Sequence, residues 1–170
     1  MESNEIPHSL GIDVFGTDDY LTNVKESLIY RCNKSSKPKV PFLITSESIG
    51  DLSSMVNIDI ISLRDINLKF EDRRKLLRGI GLEITISNLR LTDGKQLGKW
   101  LADISSFYAY CKHARFQFIL SSGATSICEL VSGRCFDSLL KTCGIDPISY
   151  WNDLNGWLQT RLIRRHTYFA

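Results

Sequence analysis

The sequence predicts an α/β domain built on a parallel sheet with helices outside it. Three observations predict it. Short apolar runs alternate with helix-like segments along most of the chain. Runs such as "FILSS" are continuously apolar, as strands covered on both faces require. And "LITSES", "IISLRD", "TISNLR" and "ILSSGA" all turn polar at their C-terminal ends, each with a serine.

The elements follow in order. "LGIDVFG" reads as a strand entering a turn. "DDYLTNVKESLIYRC" reads as a helix, with Asp18 or Asp19 as its cap and Leu21, Val24, Leu28 and Ile29 as its apolar stripe. The polar "NKSSKPK", with Pro38, is a loop; "VPFLITS" is a strand and "IGDLSSMVN" a short helix or turn. "IDIISL" is a β-branched strand, "NLKFEDRRKLLRGIG" a charged helix stopping at glycine, and "LEITIS" a further strand. A long helix is predicted from about Thr92 to His113, with Leu97, Leu101, Ile104, Tyr108 and Cys111 on one stripe. "RFQFILSS" is the fifth strand, and "SICELVSGRCFDSLLKTCG" is helical to near Gly144. "DPISYWNDLNGWLQTRLIRRH" opens with Pro147 as a helix-start signal, and the rest of its pattern is ambiguous.

With 170 residues, 43% of them hydrophobic, the chain suits one compact domain that buries roughly two-thirds of its unfolded surface. No run reaches the roughly 18 apolar residues of a membrane span, and "MESNEIPHSL" lacks the basic and apolar regions of a signal peptide. The expectation is a cytoplasmic protein. Five cysteines without a C-x-x-C pair predict reduced, mostly buried thiols rather than a disulfide framework or zinc knuckle.

The polar strand ends admit two readings. In parallel sheets this is the edge where ligands sit, and polar turn residues also cap the helices that follow. Ser122 lacks the G-x-S-x-G setting of a nucleophile elbow, since it stands in Leu120-Ser121-Ser122-Gly123-Ala124. A phosphate held by backbone N–H groups is a second possibility there, and an ordinary strand-to-helix turn a third. His8, His113 and His166 are isolated, which is poor spacing for a metal hydrolase; His113 suits a helix C-terminus. Glu83, inside an apolar strand, is either a catalytic acid or base or a structurally partnered charge.

Basic residues concentrate in three places. Arg64, Lys69, Arg73, Arg74, Lys75 and Arg78 fall within fifteen residues beside three acids. Lys34, Lys37 and Lys39 stand with Arg31 in an acid-free stretch, whereas residues 1–20 carry five acids and no Lys or Arg. Arg161, Arg164 and Arg165 crowd the C-terminus beside Trp151, Trp157, Tyr168 and Phe169. Such runs are either solvated helix faces or phosphate contacts, and the net charge of +2 does not decide between them.

The second half supplies an ordered set of matches. "GLEITISNLR", the long helix and "FILSSGATSICELVSGRCFDSLLKTCGID" contain Gly81, Leu82, Glu83, Ser121, Ser122, Gly123, Ala124, Glu129, Leu130, Ser132, Arg134, Leu139, Leu140 and Gly144. This pattern resembles protein component 3 of archaeal ribonuclease P, the family of the thirty-kilodalton subunit of the eukaryotic enzyme. The resemblance spans about residues 58–146, and before Val40 the pattern is merely compatible. The chain departs from the family where Gly133 replaces a proline and Cys135 replaces an acid.

The resemblance implies a reduced or irregular TIM-like (β/α) barrel, related to polymerase and histidinol phosphatase-type barrels. It is reduced because eight strands usually need 200 or more residues. It also implies a noncatalytic, RNA-binding subunit of a heteromeric ribonucleoprotein that removes the 5′ leader of precursor tRNA. The partners implied are ribonuclease P RNA and component 2, a small ferredoxin-like subunit, with precursor tRNA contacted indirectly. No cofactor is expected in this chain; Mg is expected on the catalytic RNA. The candidate RNA contacts are Arg74, Arg78, Arg90, Ser122 and Arg134, and then Lys34, Lys37, Lys39, Arg161, Arg164 and Arg165. The alternative is a stand-alone barrel phosphoesterase or sugar-phosphate lyase using Glu83 and the serine-bearing strand ends.

Overall fold

The structure, a computed structural model, describes residues 29–31, 43–46, 58–63, 66, 76, 78–87, 94–124 and 131–169, with side chains described from residue 43 to residue 163 of these. Five strands form one sheet in the order β1-β2-β3-β4-β5: β1 (Ile29–Arg31), β2 (Leu43–Ser46), β3 (Ile60–Leu63), β4 (Gly81–Thr85) and β5 (Gln117–Ser121). Every neighbouring pair is parallel. Helix α1 (Gly94–Ala114) connects β4 to β5, and α2 (Gly133–Thr142) and α3 (Pro147–Phe169) follow β5.

The α/β fold with a parallel sheet and alternating helices is therefore as the sequence predicts. All four residues of β3 are buried, as a strand covered on both faces should be. Two expectations are corrected. Ile29–Arg31 is not the end of a helix: it is a strand, in register Ile29↔Leu43, Tyr30↔Ile44 and Arg31↔Thr45 with β2. A β-branched residue followed by an aromatic favours extended backbone, and a short apolar run carries no period of its own. Helix α2 also starts later than predicted, because Val131 and Ser132 are not helical. Ser132 has extended backbone (φ −68°, ψ 152°), and its side chain caps the helix by accepting the Cys135 N–H.

The predicted strand "LGIDVFG", the loop at residues 33–39, "IGDLSSMVN" and most of the charged helix at residues 67–78 lie outside the described residues.

Three helix ends follow from local chemistry. Gly144 (φ +70°) closes α2: its N–H donates to the Lys141 carbonyl and the Ile145 N–H donates to that of Leu140. Arg115 closes α1 the same way in spite of its side chain. At φ +61° it lets the Phe116 N–H reach the Cys111 carbonyl at 2.9 Å. Asp146 precedes Pro147 and accepts the Ser149 N–H at 2.9 Å, starting α3, which continues through the ambiguous pattern to Phe169.

Helix α1 buries Ile104, Phe107 and Cys111; Leu97, predicted on the stripe, is exposed. Phe107 meets Phe118 of β5 edge to face, with ring centroids 6.1 Å apart. From α3, Tyr150, Trp151, Leu154 and Leu158 reach the same core. Tyr150 Oη accepts the Leu120 N–H at 2.9 Å. Trp151 Nε1 donates to Asp137 Oδ1 at 2.8 Å, which ties α3 to α2. Cys111 and Cys143 are buried free thiols, as expected, and Cys135 is an exposed one. Cys32 and Cys128 lie outside the described residues. No described helix is long and apolar enough to cross a membrane.

Candidate functional site

Lateral partners in a parallel sheet point to the same side, so the strand register assigns faces. Thr45 pairs with Ile60, Ser62 with Glu83, and Thr85 with Ser121. One face of the sheet thus carries Thr45, Ser62, Glu83, Thr85 and Ser121 in the C-terminal halves of four adjacent strands. This is a polar stripe, and Thr45, Ser62, Glu83 and Ser121 in it are all buried. At the serine-bearing strand ends, Ser46, Ser62, Ser121 and Ser122 are therefore interior, and Ser87 is half-buried. Ser46 is buried too, on the opposite face.

Within the stripe, Ser121 Oγ donates to Glu83 Oε1 at 2.6 Å. Of the two sequence readings of Glu83, the partnered charge is what this geometry displays. Thr45 is 3% exposed, and its hydroxyl has no hydrogen-bond partner among the described residues.

The turn after β5 explains its glycine. Gly123 has φ +61°, and a Cβ there would lie 2.6 Å from Ser87 Oγ and 2.7 Å from Thr85 Cβ. Ser87 is positioned by donating from its hydroxyl to Thr85 Oγ1 at 3.0 Å and from its N–H to the Ser122 carbonyl at 3.1 Å. Ser122 is 1% exposed, and its Oγ accepts the Ala124 N–H at 3.2 Å. Its hydroxyl shapes the turn and is not presented to solvent.

The basic candidates are dispersed. Arg78 is exposed in the turn before β4, and Arg134 is exposed in the first turn of α2. Arg161 is engaged within the fold. Its guanidinium donates to the Gly79 carbonyl, stands 3.6 Å from Asp59 Oδ1, and lies 5.5 Å from the centre of the Trp157 ring. Arg74, Arg90, Lys34, Lys37 and Lys39 lie outside the described residues, as do the side chains of Arg164 and Arg165. The site does not bring the described candidates together.

Sequence reasoning missed Asp59, which is 4% exposed and accepts the Ile44 N–H on Oδ2 at 3.0 Å. Its signal was available: an acid between Ile58 and Ile60 must be partnered if the strand is buried, by the same argument applied to Glu83. Among the described residues, no three His, Cys, Asp or Glu side chains are grouped to hold a metal ion. The fold and site define the chain as an α/β protein with a buried polar stripe along one face of a parallel sheet. No family model, no curated protein and no solved structure matches it.

Proposed function

We propose that this chain is a noncatalytic, RNA-binding subunit of ribonuclease P, folded as a reduced (β/α) barrel and paired with component 2. The RNA supplies the metal-bound active site, and the protein stabilises its catalytic conformation while lowering phosphate repulsion. One observation carries the reading. The two segments on which the resemblance rests, Gly81-Leu82-Glu83 and Ser121-Ser122-Gly123-Ala124, lie on adjacent strands and meet in the Ser121–Glu83 hydrogen bond. Of the candidate residues, Arg78 and Arg134 are described and exposed, as a phosphate contact in this reading requires.

The test is reconstitution with candidate ribonuclease P RNA and component 2, assayed for leader cleavage from precursor tRNA. Stimulation that depends on this chain is the expected result. Absence of stimulation together with RNA-free phosphodiesterase turnover would replace the reading with the stand-alone barrel enzyme.

A further inference from the structure

A cleft of about 280 Å³ opens at the N-terminal end of β5, the end opposite the serine-bearing edge, between the last turns of α1 and the first half of α3. Its walls include Tyr108, Phe116 and Trp157, all half-buried, and its floor is Phe118 and Tyr150, both buried. Tyr108 stands edge to face on Phe118 at 5.7 Å, and Phe118 on Tyr150 at 6.0 Å, so the rings are fixed by packing. The charged groups lining the cleft are Lys112, Arg115 and Asp153. Lys112 and Asp153 neutralise each other across the mouth at 2.5 Å. Arg115 remains: exposed, with no ion pair or hydrogen bond from its guanidinium among the described residues. Its backbone is pinned, because its carbonyl accepts the Gly79 N–H at 2.9 Å.

We propose that this cleft takes one unstacked nucleotide of single-stranded RNA, with the base against Tyr108 and Trp157 and the phosphate on Arg115. The inference rests on the RNA-binding part of the function proposed above. Flat rings beside a free guanidinium match the two halves of a nucleotide, a π-face and an anion. An apolar side chain from a protein would fill the ring-lined space and leave Arg115 without a counter-charge. The carbonyl end of α1 opposes an anion, and the guanidinium of Arg115, one residue past that end, offsets that field.

The experiment irradiates the full chain with a 5-bromouridine-substituted single-stranded hexaribonucleotide and maps the crosslinked residue. Affinity is measured in parallel for wild type and Arg115→Gly. Glycine suits the φ of +61° at this position, so the variant removes the guanidinium without straining the turn. The expected result is a crosslink on Tyr108 or Trp157, with binding weakened about three- to tenfold and the salt slope lowered by about 0.7 in Arg115→Gly. A crosslink elsewhere, no crosslink, or unchanged affinity overturns the proposal. Leader cleavage separates this from the subunit reading. A chain that stimulates cleavage but fails here loses the cleft alone; one that passes here without stimulating cleavage loses the ribonuclease P assignment alone.

Discussion

Ser121 and Glu83 are joined by a 2.6 Å hydrogen bond across adjacent strands, inside a stripe where both side chains are buried. The serine that opens the Ser-Ser-Gly-Ala turn thus holds one oxygen of a carboxylate that a buried strand can keep only where it is partnered. A hydroxyl donating to a carboxylate spreads its charge and fixes its rotamer. The arrangement links the two most specific sequence motifs to the stability of the sheet.

Ser121→Ala should therefore destabilise the protein by about 1.5–3 kcal/mol, the range for a hydrogen bond to a charged group. Chemical denaturation of wild type and variant measures this. A midpoint shift below about 0.5 kcal/mol would mean that other partners of Glu83 hold it without the serine.

Thr45 gives the opposite sign. Its buried hydroxyl has no hydrogen-bond partner among the described residues, so Thr45→Val exchanges a polar atom unsatisfied there for a methyl of nearly the same size. The expected change is a gain of about 1 kcal/mol in unfolding free energy. A loss of that size would show that the hydroxyl is bonded in solution, by water or by a ligand.

Gly123→Ala should cost at least about 2 kcal/mol, because the added Cβ meets Ser87 Oγ and Thr85 Cβ well inside contact distance and the backbone sits at φ +61°. The variant Gly144→Ala provides a comparison: it shares a positive φ (+70°) but meets nothing within 4 Å, so it should cost about half as much. Equal losses at the two positions would mean that backbone strain alone sets the requirement for glycine.

Much of this architecture was legible because burial writes itself into the sequence. Strands β2 to β5 announced themselves as continuous apolar runs, and Gly144 and Pro147 marked the end of one helix and the start of the next. Strand β1 was not legible: Ile29 fits a helical stripe with Leu28, and three residues cannot declare a period. At the site, Glu83 was recognisable as a carboxylate needing a partner, but its partner was not. Ser121 reaches it across the β4–β5 register from 38 residues further along the sequence. Asp59 with Arg161, and Trp157 with Gly79, depend on packing across still longer separations, and nothing local encodes them.

Stability should fall as pH rises above about 9. Burial pushes the Cys111 thiol from its ordinary 9.0 up to about 12, and burial also raises Tyr150, Tyr108 and Cys143. A raised native pKa means that the unfolded chain loses its proton first, so it binds fewer protons than the native state and stability declines with pH. For Cys111 the contribution is intact below pH 9 and is lost progressively toward pH 12. Lys112, raised foremost by its hydrogen bond to Asp153, adds a loss of the same sign. Denaturant midpoints between pH 8 and 11 check this, and Cys111→Ala should flatten the first part of the decline. A midpoint that stays level to pH 11 would contradict buried, protonated groups.

Arg161 separates a structural arginine from an RNA contact. Its guanidinium donates to the Gly79 carbonyl beside the Trp157 indole, which donates to the same oxygen at 2.8 Å. It also stands 3.6 Å from Asp59, whose side chain is 5% exposed. Removing the cation takes this positive neighbour from a buried carboxylate that also accepts the Ile44 N–H. Arg161→Met keeps much of the aliphatic packing against Trp157 and should still cost about 2–4 kcal/mol, the scale for breaking one side of a buried pair. A phosphate contact predicts a different pattern: near-normal stability, with the salt slope of RNA binding reduced by about 0.7–0.9. Measured together, a large stability loss with parallel salt plots assigns Arg161 to the fold. That leaves Arg78 and Arg134 as the exposed arginines among the sequence candidates on which to repeat the same pair of measurements.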